Sequence, residues 1–598
     1  MRSLILLLSF LCLVNCKQET TSEVESSNDG SSTYTISFEN AAHHEAEISA
    51  TFKGLKTGEA EFRMSRTSPG RYAIHEFAKN IYNVKVTDGK GNRLEATRPD
   101  PYSWTVKDHD GTINVSYILY ANHGDGTYAQ VDETHAHLNM PATFMYAPSL
   151  ADNNIEITFK PREDLNWKIA TQLKPLEGNT YFARDLQYFM DSPTEISNHM
   201  LRAFEVDDQA VKFALHHNGT EEEFDRYFEN VKKVVLQQKT IFGELPTYDY
   251  GEYIFLGCYI PNATGDGMEH RNSTIVTSTR SLADAADRNL GTVSHEFFHC
   301  WNVERIRPQS LEPFDFEEAN MSGELWFAEG FTSYYDDLTL TRAGLIKPED
   351  YIKGLTGTFN YVWNSPGREF FNPIEMSYQA PFVDAARSVD DVNRSNTFIS
   401  YYSYGSMLGL ALDLSLREQN LNLDDYMKLV WTTYGKLEKY YTIDDLHQTL
   451  NSYADTEFGD KFFNNYIYKS EMPDYEALFK TVGVELKQNT DKAAFSLRLR
   501  NQVITSNLKI GSAVYKVGLE KGDKLVKIGG IEIKETSDLN KILENIKPNQ
   551  TIDIIFERFG KLRSIKMTLD ADTSYTIMGS ENLSEAVKIN RDDWLGVK

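Results

Sequence analysis

The sequence predicts a multidomain α+β protein, and its length, its composition and its changing hydrophobic pattern support this. A chain of 598 residues is too long for one hydrophobic core, and 41% hydrophobic with 25% charged residues is typical of globular domains. Strand-like alternation marks residues 34–190, helical periodicity dominates much of 191–480, and strand patterns return in 481–572. We therefore expect an N-terminal β domain, a central α+β domain and a small C-terminal domain over these ranges, followed by a tail over residues 573–598.

The net charge argues against nucleic acid as a partner. The chain has 61 Lys and Arg residues against 87 Asp and Glu residues, which gives a formal charge of −26. Such a chain repels phosphate backbones, and the sequence contains no basic stripe that would overcome the repulsion.

The first residues have the pattern of a targeting segment. An apolar run extends from Leu4 to Val14, which is too short to cross a bilayer, and Cys16 follows it. The four residues that end at Cys16 resemble a bacterial lipobox, although Asn15 is unusual before the cysteine. We predict a lipoprotein signal peptide over residues 1–16, lipids on Cys16, and a membrane-anchored location in the bacterial cell envelope, in the periplasm or at the outer-membrane surface. A plain secretory signal is the alternative.

The N-terminal β domain is expected to follow a flexible segment. Residues 17–33 are rich in Glu, Ser and Thr and almost free of apolar side chains, so they predict a solvated tether. The alternation of Tyr34, Ile36 and Phe38 then indicates the first strand of the domain.

Two features of the mature chain leave alternatives open. His135 and His137 are two residues apart, so a strand places both on one face, where they serve either metal binding or ordinary polar packing. Cys258 and Cys300 are the only cysteines beyond Cys16, and an oxidising compartment permits either a bridge between them or two buried thiols.

The helical part of the central domain begins with a clear N-terminal signal. Thr220 and Glu223 have the spacing of a capping box, and apolar residues then recur at helical spacing as far as Gly243. Pro246 ends this helix, because proline cannot continue the backbone hydrogen bonds. Two predicted strands lead from there to the next helical segment.

That segment carries His295-Glu-Phe-Phe-His299, and Glu329 follows thirty residues later. Two imidazoles four residues apart project from one face of a helix, and Glu296 lies close to that face. A hydrolytic zinc site requires three protein ligands and one open position for water. His295, His299 and Glu329 supply such a set, so we expect one Zn²⁺ per chain.

The same stretch predicts the groups that would assist the metal. Glu296 lies where it can take a proton from water during attack on a carbonyl and pass it to the leaving amine. A neutral tyrosine hydroxyl would suit the stabilisation of the developing oxyanion. Asp336 lies two helical turns beyond Glu329, where it can hydrogen-bond a metal ligand, although a solvated carboxylate is an equally good explanation.

Several segments resemble the glycyl aminopeptidase family of thermolysin-like (gluzincin) zinc peptidases. The resemblance rests on His295-Glu-Phe-Phe-His-Cys-Trp-Asn-Val303, Leu325-Trp-Phe-Ala-Glu-Gly-Phe-Thr-Ser-Tyr-Tyr335, Gly267-Met-Glu-His-Arg-Asn-Ser-Thr274 and Ser68-Pro-Gly-Arg-Tyr72. The segment Gly518-Leu-Glu-Lys-Gly-Asp523 resembles a PDZ domain. The resemblance implies a thermolysin-like fold for the central domain and a PDZ-like fold for residues 481–572.

The resemblance also implies how a substrate binds. Gly267, Met268, Glu269 and His270 are similar to the G-x-M-E-N segment of related aminopeptidases, whose glutamate binds the free α-amine. Glu269 is therefore the expected anchor for the substrate's N-terminus. His270 stands where those relatives have Asn, as is usual for the glycyl branch.

A tyrosine near residue 402 is implied in the same way. Tyr402-Ser-Tyr404-Gly405 is similar to the Y-x-K-G segment whose tyrosine stabilises the transition state, which assigns that role to Tyr402. Tyr404 replaces the lysine, and Tyr401 is the next candidate. The segment between the second histidine and the third ligand is longer than in the best-known relatives, and we expect the additional residues, 305–322, to form a loop beside the cleft.

Together these expectations describe a lipid-anchored zinc aminopeptidase that acts on peptides, with a preference for Gly or Ala implied by the resemblance alone. One alternative is a zinc endopeptidase whose PDZ-like domain recruits peptide C-termini, for example at Gly511 to Ala513. Another is a non-catalytic peptide-binding lipoprotein, against which the complete set of zinc ligands and base argues. The sequence does not predict the oligomeric state.

Overall fold

The computed structural model describes residues 30–383, 390, 392–534, 539, 541–542 and 546–597. The predicted signal peptide, Cys16 and residues 17–29 of the predicted tether lie outside this part of the chain. Residues 31–33, which we assigned to the tether, belong to the first strand. Within the described residues, no helix is both long and apolar enough to span a bilayer.

The N-terminal domain is built from three sheets around one hydrophobic core. Its elements are β1 (Ser31–Ser37), β2 (Glu45–Lys53), β3 (Ala60–Arg63), β4 (Ile81–Asp88), β5 (Ala96–Thr97), β6 (Ser103–Val106), β7 (Thr112–Tyr120), β8 (Gln130–Val131), β9 (His135–Leu138), α1 (Met140–Thr143), β10 (Ile155–Lys160), β11 (Lys168–Thr171), β12 (Lys174–Pro175), β13 (Thr180–Ala183), α2 (Leu186–Met190) and β14 (Thr194–Ser197). The strand orders are β12-β13-β10-β1-β2-β7-β4, β11-β14-β9-β8 and β3-β6-β5.

The alternating residues of β1 face the core as the sequence predicts, since Tyr34 and Ile36 are at most 2% exposed. The predicted end of this domain at residue 190 is too early. Strand β14 pairs with β9, with Ile196 opposite Ala136, so the domain extends to about Ser197. A four-residue strand has too little periodicity to be recognised from the sequence alone.

The central domain combines one five-stranded sheet with many helices. Its elements are β15 (Met200–Val206), β16 (Gln209–His217), α3 (Glu221–Phe242), β17 (Glu252–Tyr259), β18 (Asp266–His270), β19 (Ser273–Ser278), α4 (Leu282–Phe298), α5 (Leu325–Ala328), α6 (Gly330–Arg342), α7 (Pro348–Trp363), α8 (Pro373–Tyr378), α9 (Ala380–Val383), α10 (Arg394–Thr397), α11 (Tyr401–Arg417), α12 (Leu423–Thr433), α13 (Ile443–Tyr453), α14 (Thr456–Phe462) and α15 (Tyr475–Thr481). The strand order is β15-β16-β17-β19-β18, which leaves β18 at the edge of the sheet.

Helix α3 confirms the predicted start and end signals. The Thr220 side chain accepts a hydrogen bond from the Glu223 N–H, and the Glu223 side chain accepts one from the Thr220 N–H. Gly243 follows the helix with φ of 87°, a conformation that glycine adopts without the strain a side chain would add. The buried face of α3 packs against α4, the helix that carries the zinc motif.

The small C-terminal domain has its own core, separate from that of the central domain. Its described elements are β21 (Leu499–Arg500), β22 (Val503–Ile504), α16 (Ala513–Lys516), β23 (Lys524–Ile528), β24 (Ile531–Glu532), β25 (Thr551–Arg558) and β26 (Lys561–Thr568). Core side chains from Phe495 to Leu569 lie within this unit.

The segments on either side of this unit return to the central domain. Strand β20 (Val484–Gln488) pairs with β27 (Tyr575–Gly579), and helix α17 (Glu585–Leu595) follows. Val484 and Trp594 belong to the core of the central domain, where Trp594 is fully buried and donates a hydrogen bond from Nε1 to the Tyr334 hydroxyl at 3.0 Å. The prediction of a C-terminal tail over residues 573–598 is therefore wrong for residues 573–597, because two short elements acquire their stability from tertiary packing that a local pattern does not reveal.

The C-terminal domain also contacts the central domain through Asn396. Its side-chain amide donates to the Leu508 carbonyl and its amide oxygen accepts from the Ile510 N–H, both at 2.9 Å. The backbone donor just before the segment Gly511 to Ala513, which we considered for a peptide C-terminus, is therefore already engaged.

We predict that the C-terminal domain can be excised without unfolding the rest. The Asn489 N–H donates to the Ser574 carbonyl, so replacing residues 490–573 by Asn-Gly closes β20 and β27 into a two-residue hairpin. Circular dichroism and thermal unfolding should show a folded protein whose Tm lies within about 5 °C of the intact chain.

Trp594→Ala should have the opposite effect to the excision. It leaves a cavity in the core of the central domain and should lower the free energy of unfolding by about 3–5 kcal/mol. Phe559→Ala is the matched control, because that aromatic side chain is 87% exposed. If the excised protein did not fold and Trp594→Ala did not change Tm, the assignment of residues 490–573 to a separate domain and of Trp594 to the central core would be contradicted.

Candidate active site

Helix α4 brings the two histidines and Glu296 together. The rings of His295 and His299 lie 4.8 Å apart between their centroids. The Glu296 side chain lies against the backbone of Gly267 in β18, since a Cβ atom at Gly267 would be 2.1 Å from Glu296 Oε1. Only glycine at position 267 leaves room for this carboxylate.

Glu329 completes the set from the junction between α5 and α6. Its Oε2 lies 3.2 Å from His299 Nε2 and 3.6 Å from His295 Nε2, and the three ligand atoms lie within 4.8 Å of one another. Two imidazole nitrogens and a carboxylate oxygen form the donor set of many catalytic zinc sites. Oε2 of the buried Glu296 has no hydrogen-bond partner among the described residues, as expected where a metal and water would occupy the space. The residues therefore fit Zn²⁺.

Each histidine is oriented by a contact to its other ring nitrogen. His299 Nδ1 lies 2.6 Å from the Asn302 carbonyl oxygen, and His295 Nδ1 lies 3.5 Å from Asp336 Oδ2. Such contacts place the proton on Nδ1 and leave Nε2 free for a metal. The structure thus places Asp336 where the sequence argument put it, beside a metal ligand.

Asn302 links the end of α4 to the helix that carries the third ligand. Its side-chain amide donates to the carbonyls of Phe327 and Ala328 and to the Thr332 hydroxyl, at 3.0–3.1 Å. These bonds hold the chain just before and after Glu329, so the spacing between the histidines and the carboxylate is fixed by a buried side chain.

Helix α11 places a tyrosine over the site. The ring of Tyr402 lies 5.9 Å from that of His295, and Tyr401 stacks on Tyr402 at 4.8 Å. Burial, and then the charge of Glu329, raise the pKa of Tyr402 well above its usual range, so its hydroxyl remains a neutral donor. Tyr404 lies on the other side of the helix, near Tyr475 and Arg368, and is therefore not part of the site.

Strand β18 supplies the residues expected to contact a substrate. Glu269 is 8% exposed, and one of its oxygens lies within 4.8 Å of both a Glu296 oxygen and a His299 nitrogen. Met268 is buried beside it. His270 turns away, with Nδ1 at 2.8 Å from Asp191 Oδ1.

Burial raises the pKa of the Glu296 carboxyl to about 8. The carboxyl is therefore held in an environment that favours accepting a proton.

The N-terminal domain contributes a residue that the sequence argument did not assign to the site. The Tyr72 hydroxyl donates a hydrogen bond to Glu329 Oε1 at 3.0 Å, on the oxygen that does not face the histidines. In the sequence, the segment Ser68 to Tyr72 is marked only by its resemblance to the family. Tyr72 lies in a separate domain, at no characteristic distance along the sequence from the zinc motif. Only the family resemblance of its segment could therefore have indicated that it contacts the site.

The same segment, Ser68 to Tyr72, lies against strand β18, which contains Met268 and Glu269. A Cβ atom at Gly70, which has φ of 74°, would be 2.1 Å from Met268 Sδ and 3.4 Å from Glu269 Oε2. The Arg71 side chain donates hydrogen bonds to Asp266, at the start of β18, and to the Thr127 hydroxyl. The N-terminal domain therefore covers the end of the cleft that contains Glu269.

The loop of residues 305–322 is partly anchored in the N-terminal domain. Phe314 and Phe316 belong to that domain's core. Arg307, Glu312 and Phe314 line a cavity between the two domains.

Two open questions from the sequence are answered by the geometry. His135 and His137 are buried and both contact the Glu195 carboxylate, at 3.3 and 3.1 Å, and they belong to no metal-binding group within the described residues. Cys258 and Cys300 are both buried free thiols.

We predict that Tyr72→Phe weakens metal binding. The substitution removes one hydrogen bond from Glu329 and should reduce Zn²⁺ affinity by roughly 10- to 100-fold, while the fold is retained. Competition with a fluorescent chelator measures this directly. Tyr117→Phe is the matched control, because its hydroxyl donates to the Thr143 carbonyl in the core of the same domain. Equal affinities for the two variants would contradict a role of Tyr72 in holding Glu329.

Family models match three parts of the chain. Residues 33–198 match the peptidase M61 N-terminal domain, residues 288–408 match the M61 glycyl aminopeptidase, and residues 481–569 match a PDZ domain. The matched regions correspond to the N-terminal domain, to the part of the central domain that holds the metal ligands, and to the C-terminal domain.

Individual proteins are similar over different extents. One similar structure is the crystal structure of an aminopeptidase N family protein from Idiomarina loihiensis. The superposed region covers 94% of this chain and 100% of that protein, with a TM-score of 0.83 and 24% sequence identity, and this similarity shows the fold. A putative zinc metalloprotease of Staphylococcus aureus is 45% identical over 53 residues, which are 9% of this chain and 12% of that protein. A probable periplasmic DegP-like serine endoprotease of Bartonella henselae is 27% identical over 114 residues, 19% of this chain and 21% of that protein. The chain thus spans only about a tenth to a fifth of the length of these curated relatives. From these family models, the chain belongs to the M61 glycyl aminopeptidase family, with a PDZ domain at its C-terminal side.

Proposed function

We propose that the protein is a zinc-dependent aminopeptidase that removes the first residue of peptides. The position of Glu269 carries the proposal. Glu269 is 8% exposed, and its carboxylate lies beside Glu296 and His299 and has no hydrogen bond or ion pair with any described residue. Because an unpaired buried carboxylate is costly, the site favours a cation there, and the free α-ammonium of a peptide supplies one.

The proposed mechanism assigns a role to each residue of the cleft. His295, His299 and Glu329 would hold one Zn²⁺, which supplies Lewis-acid activation of water and of the peptide carbonyl. Glu296 takes the proton of the attacking water and delivers it to the leaving amine. The Tyr402 hydroxyl donates a hydrogen bond to the oxygen on which negative charge develops.

The residues around this set orient it. Asp336 and the Asn302 carbonyl hold the two imidazoles, and Tyr72 holds Glu329. Gly267 gives Glu296 the space it occupies, and Met268 with His270 fixes the strand on either side of Glu269. The preference for a small first residue, Gly or Ala, follows from the family and forms part of the proposal.

The closed end of the cleft favours an exopeptidase over an endopeptidase. Gly70 and Met268 lie in direct contact beside Glu269, so the N-terminal domain covers the strand where a longer substrate would continue. An endopeptidase that uses the PDZ domain to recruit peptide C-termini remains the second candidate, supported by the presence of that domain. A non-catalytic binding protein would not require the complete set of ligands, base and oriented imidazoles.

For the location, we propose anchoring through lipids on Cys16 in the bacterial cell envelope. The supporting observation is the apolar run and lipobox-like segment at the N-terminus. Such an anchor would hold the peptidase next to peptides that reach the envelope.

The role of the base is tested by Glu296→Gln. This variant should keep one zinc per chain but lose at least roughly 10³-fold in kcat, because the ligands remain and the proton acceptor does not. His295→Ala and Glu329→Ala should lose the metal instead. Metal analysis and kinetics on an alanine amide measure both effects, and active enzyme without zinc would refute the assignment.

The role of the anchor is tested by capping the substrate. Acetylation of the α-amine leaves Glu269 buried and unpaired, and the loss of such a pair costs on the order of 3–5 kcal/mol, so kcat/KM should fall by roughly 10²–10³-fold or more. Glu269→Ala should lower kcat/KM for free substrates by a similar factor and remove the discrimination between free and capped ones. Wild-type enzyme that cleaves acetylated peptides as fast as free ones would favour the endopeptidase instead.

A further inference from the structure

A second carboxylate without a partner lies close to Glu269. A cavity of about 220 Å³ separates the N-terminal domain from the central domain, and Pro69, Asp191, Arg271, Glu304 and Arg307 are among the residues that line it. Pro69 belongs to the segment that covers Glu269, so the cavity borders the same end of the cleft.

Each of the other carboxylates that line this cavity has a partner. Arg271 pairs with Asp249 at 2.8 Å and with Glu438 at 2.7 Å. Arg307 pairs with Glu312 at 2.8 Å, and Asp191 contacts the ring of His270. Arg305 donates to three backbone carbonyls and to the Asn272 side chain.

Glu304 is the exception. Its carboxylate forms no hydrogen bond and no ion pair within 4 Å with any described residue, although it is largely enclosed. Nearby Arg307 is directed to Glu312 instead. A carboxylate enclosed in this way is destabilised unless a cation reaches it.

The backbone holds Glu304 in this position at an energetic cost. The preceding residue, Val303, has φ of 126°, which is strongly unfavourable for a β-branched side chain. The turn is fixed by the Glu304 N–H, which donates to the His299 carbonyl at 3.1 Å. The chain therefore leaves the zinc helix in a strained turn that directs Glu304 into the cavity.

Glu304 lies within electrostatic range of Glu269. The negative charges of Asp191 and Glu269 act on Glu304 in one direction, and the positive charges of Arg307 and His270 act in the other. His270 adds an unsatisfied atom, since its buried Nε2 has no hydrogen-bond partner among the described residues. A cationic ligand that reached both carboxylates would give each of them the partner that it lacks among the described residues.

We propose that Glu304 is a second substrate-binding carboxylate, which acts beside Glu269 and pairs with an ammonium group of the peptide. The inference rests on the proposed aminopeptidase function. Two ammonium groups of a peptide can reach the position: the α-ammonium, shared between the two glutamates, and the side chain of a basic first residue extending into the cavity. Both present the same chemistry to Glu304.

The test compares binding of small amides to the zinc-loaded Glu296→Gln enzyme, in which hydrolysis is suppressed. Calorimetry with alanine amide, norleucine amide and lysine amide is carried out with and without the additional substitution Glu304→Gln. This substitution keeps the shape and removes the charge. We expect it to weaken binding by about 10- to 100-fold, because a charge-assisted hydrogen bond is lost.

The pattern across the three amides identifies the group that is bound. Equal weakening for all three assigns the α-ammonium to Glu304, and weakening confined to lysine amide assigns the basic side chain. Affinities unchanged within twofold for all three would overturn the proposal. Glu438→Gln is the matched control, because this carboxylate lines the same cavity but is already paired with Arg271, and it should leave all three affinities unchanged.

Failure of the proposed function has a different signature. In that case the wild-type protein with zinc would not hydrolyse free aminoacyl amides, whereas the binding comparison would still report whether Glu304 contacts an ammonium group. Thermal unfolding of Glu304→Gln confirms its integrity, since removing an unpaired charge should not lower Tm.

Discussion

The buried carboxylate of Glu329 is the group on which the rest of the site depends. It is 2% exposed, and a charge in such surroundings is tolerated only when partners surround it. His295 and His299 face one of its oxygens and Tyr72 donates to the other. These partners come from two domains, so the domains must be docked for the third metal ligand to be held. In this sense the N-terminal domain is part of the active site.

Close backbone contacts at glycine residues fix the positions of the helices and the strand that surround Glu329. A Cβ atom at Gly330 would lie 2.3 Å from the Cα of Gly405, so α6 and α11 touch where Glu329 ends one helix and begins the next. This contact places Tyr402, one turn earlier in α11, over His295. At the opposite side of the site, Gly267 allows the substrate strand to lie directly against Glu296. Small residues thus set the distances between the proposed metal ligands, the proposed base Glu296 and the proposed oxyanion donor Tyr402.

The C-terminal domain is structurally more independent than the other two domains. Its core is separate, yet the chain returns from it to pair β27 with β20 and to bury Trp594 in the central domain. The carbonyl and N–H of Tyr575 are both bonded to the Asn360 side chain at 2.7 Å, which ties this strand to α7. The domain is therefore an insertion between two anchored segments, an arrangement that suits a module able to bind a partner without disturbing the catalytic centre.

The sequence by itself determined the order of the domains and predicted the zinc ligands and the base, because these depend on local spacing: two histidines one helical turn apart, a capping box at Thr220, and alternation from Tyr34. Tertiary structure decided what depends on contacts between distant segments. The hydrogen bond from Tyr72 to Glu329 spans 257 positions, and that from Trp594 to Tyr334 spans 260. The unpaired state of Glu304 likewise follows from where Arg307 is directed, which no sequence pattern encodes. Local hydrophobic periodicity indicates which face of a helix or strand is buried. The residues that this face contacts are decided only when the domains pack against one another.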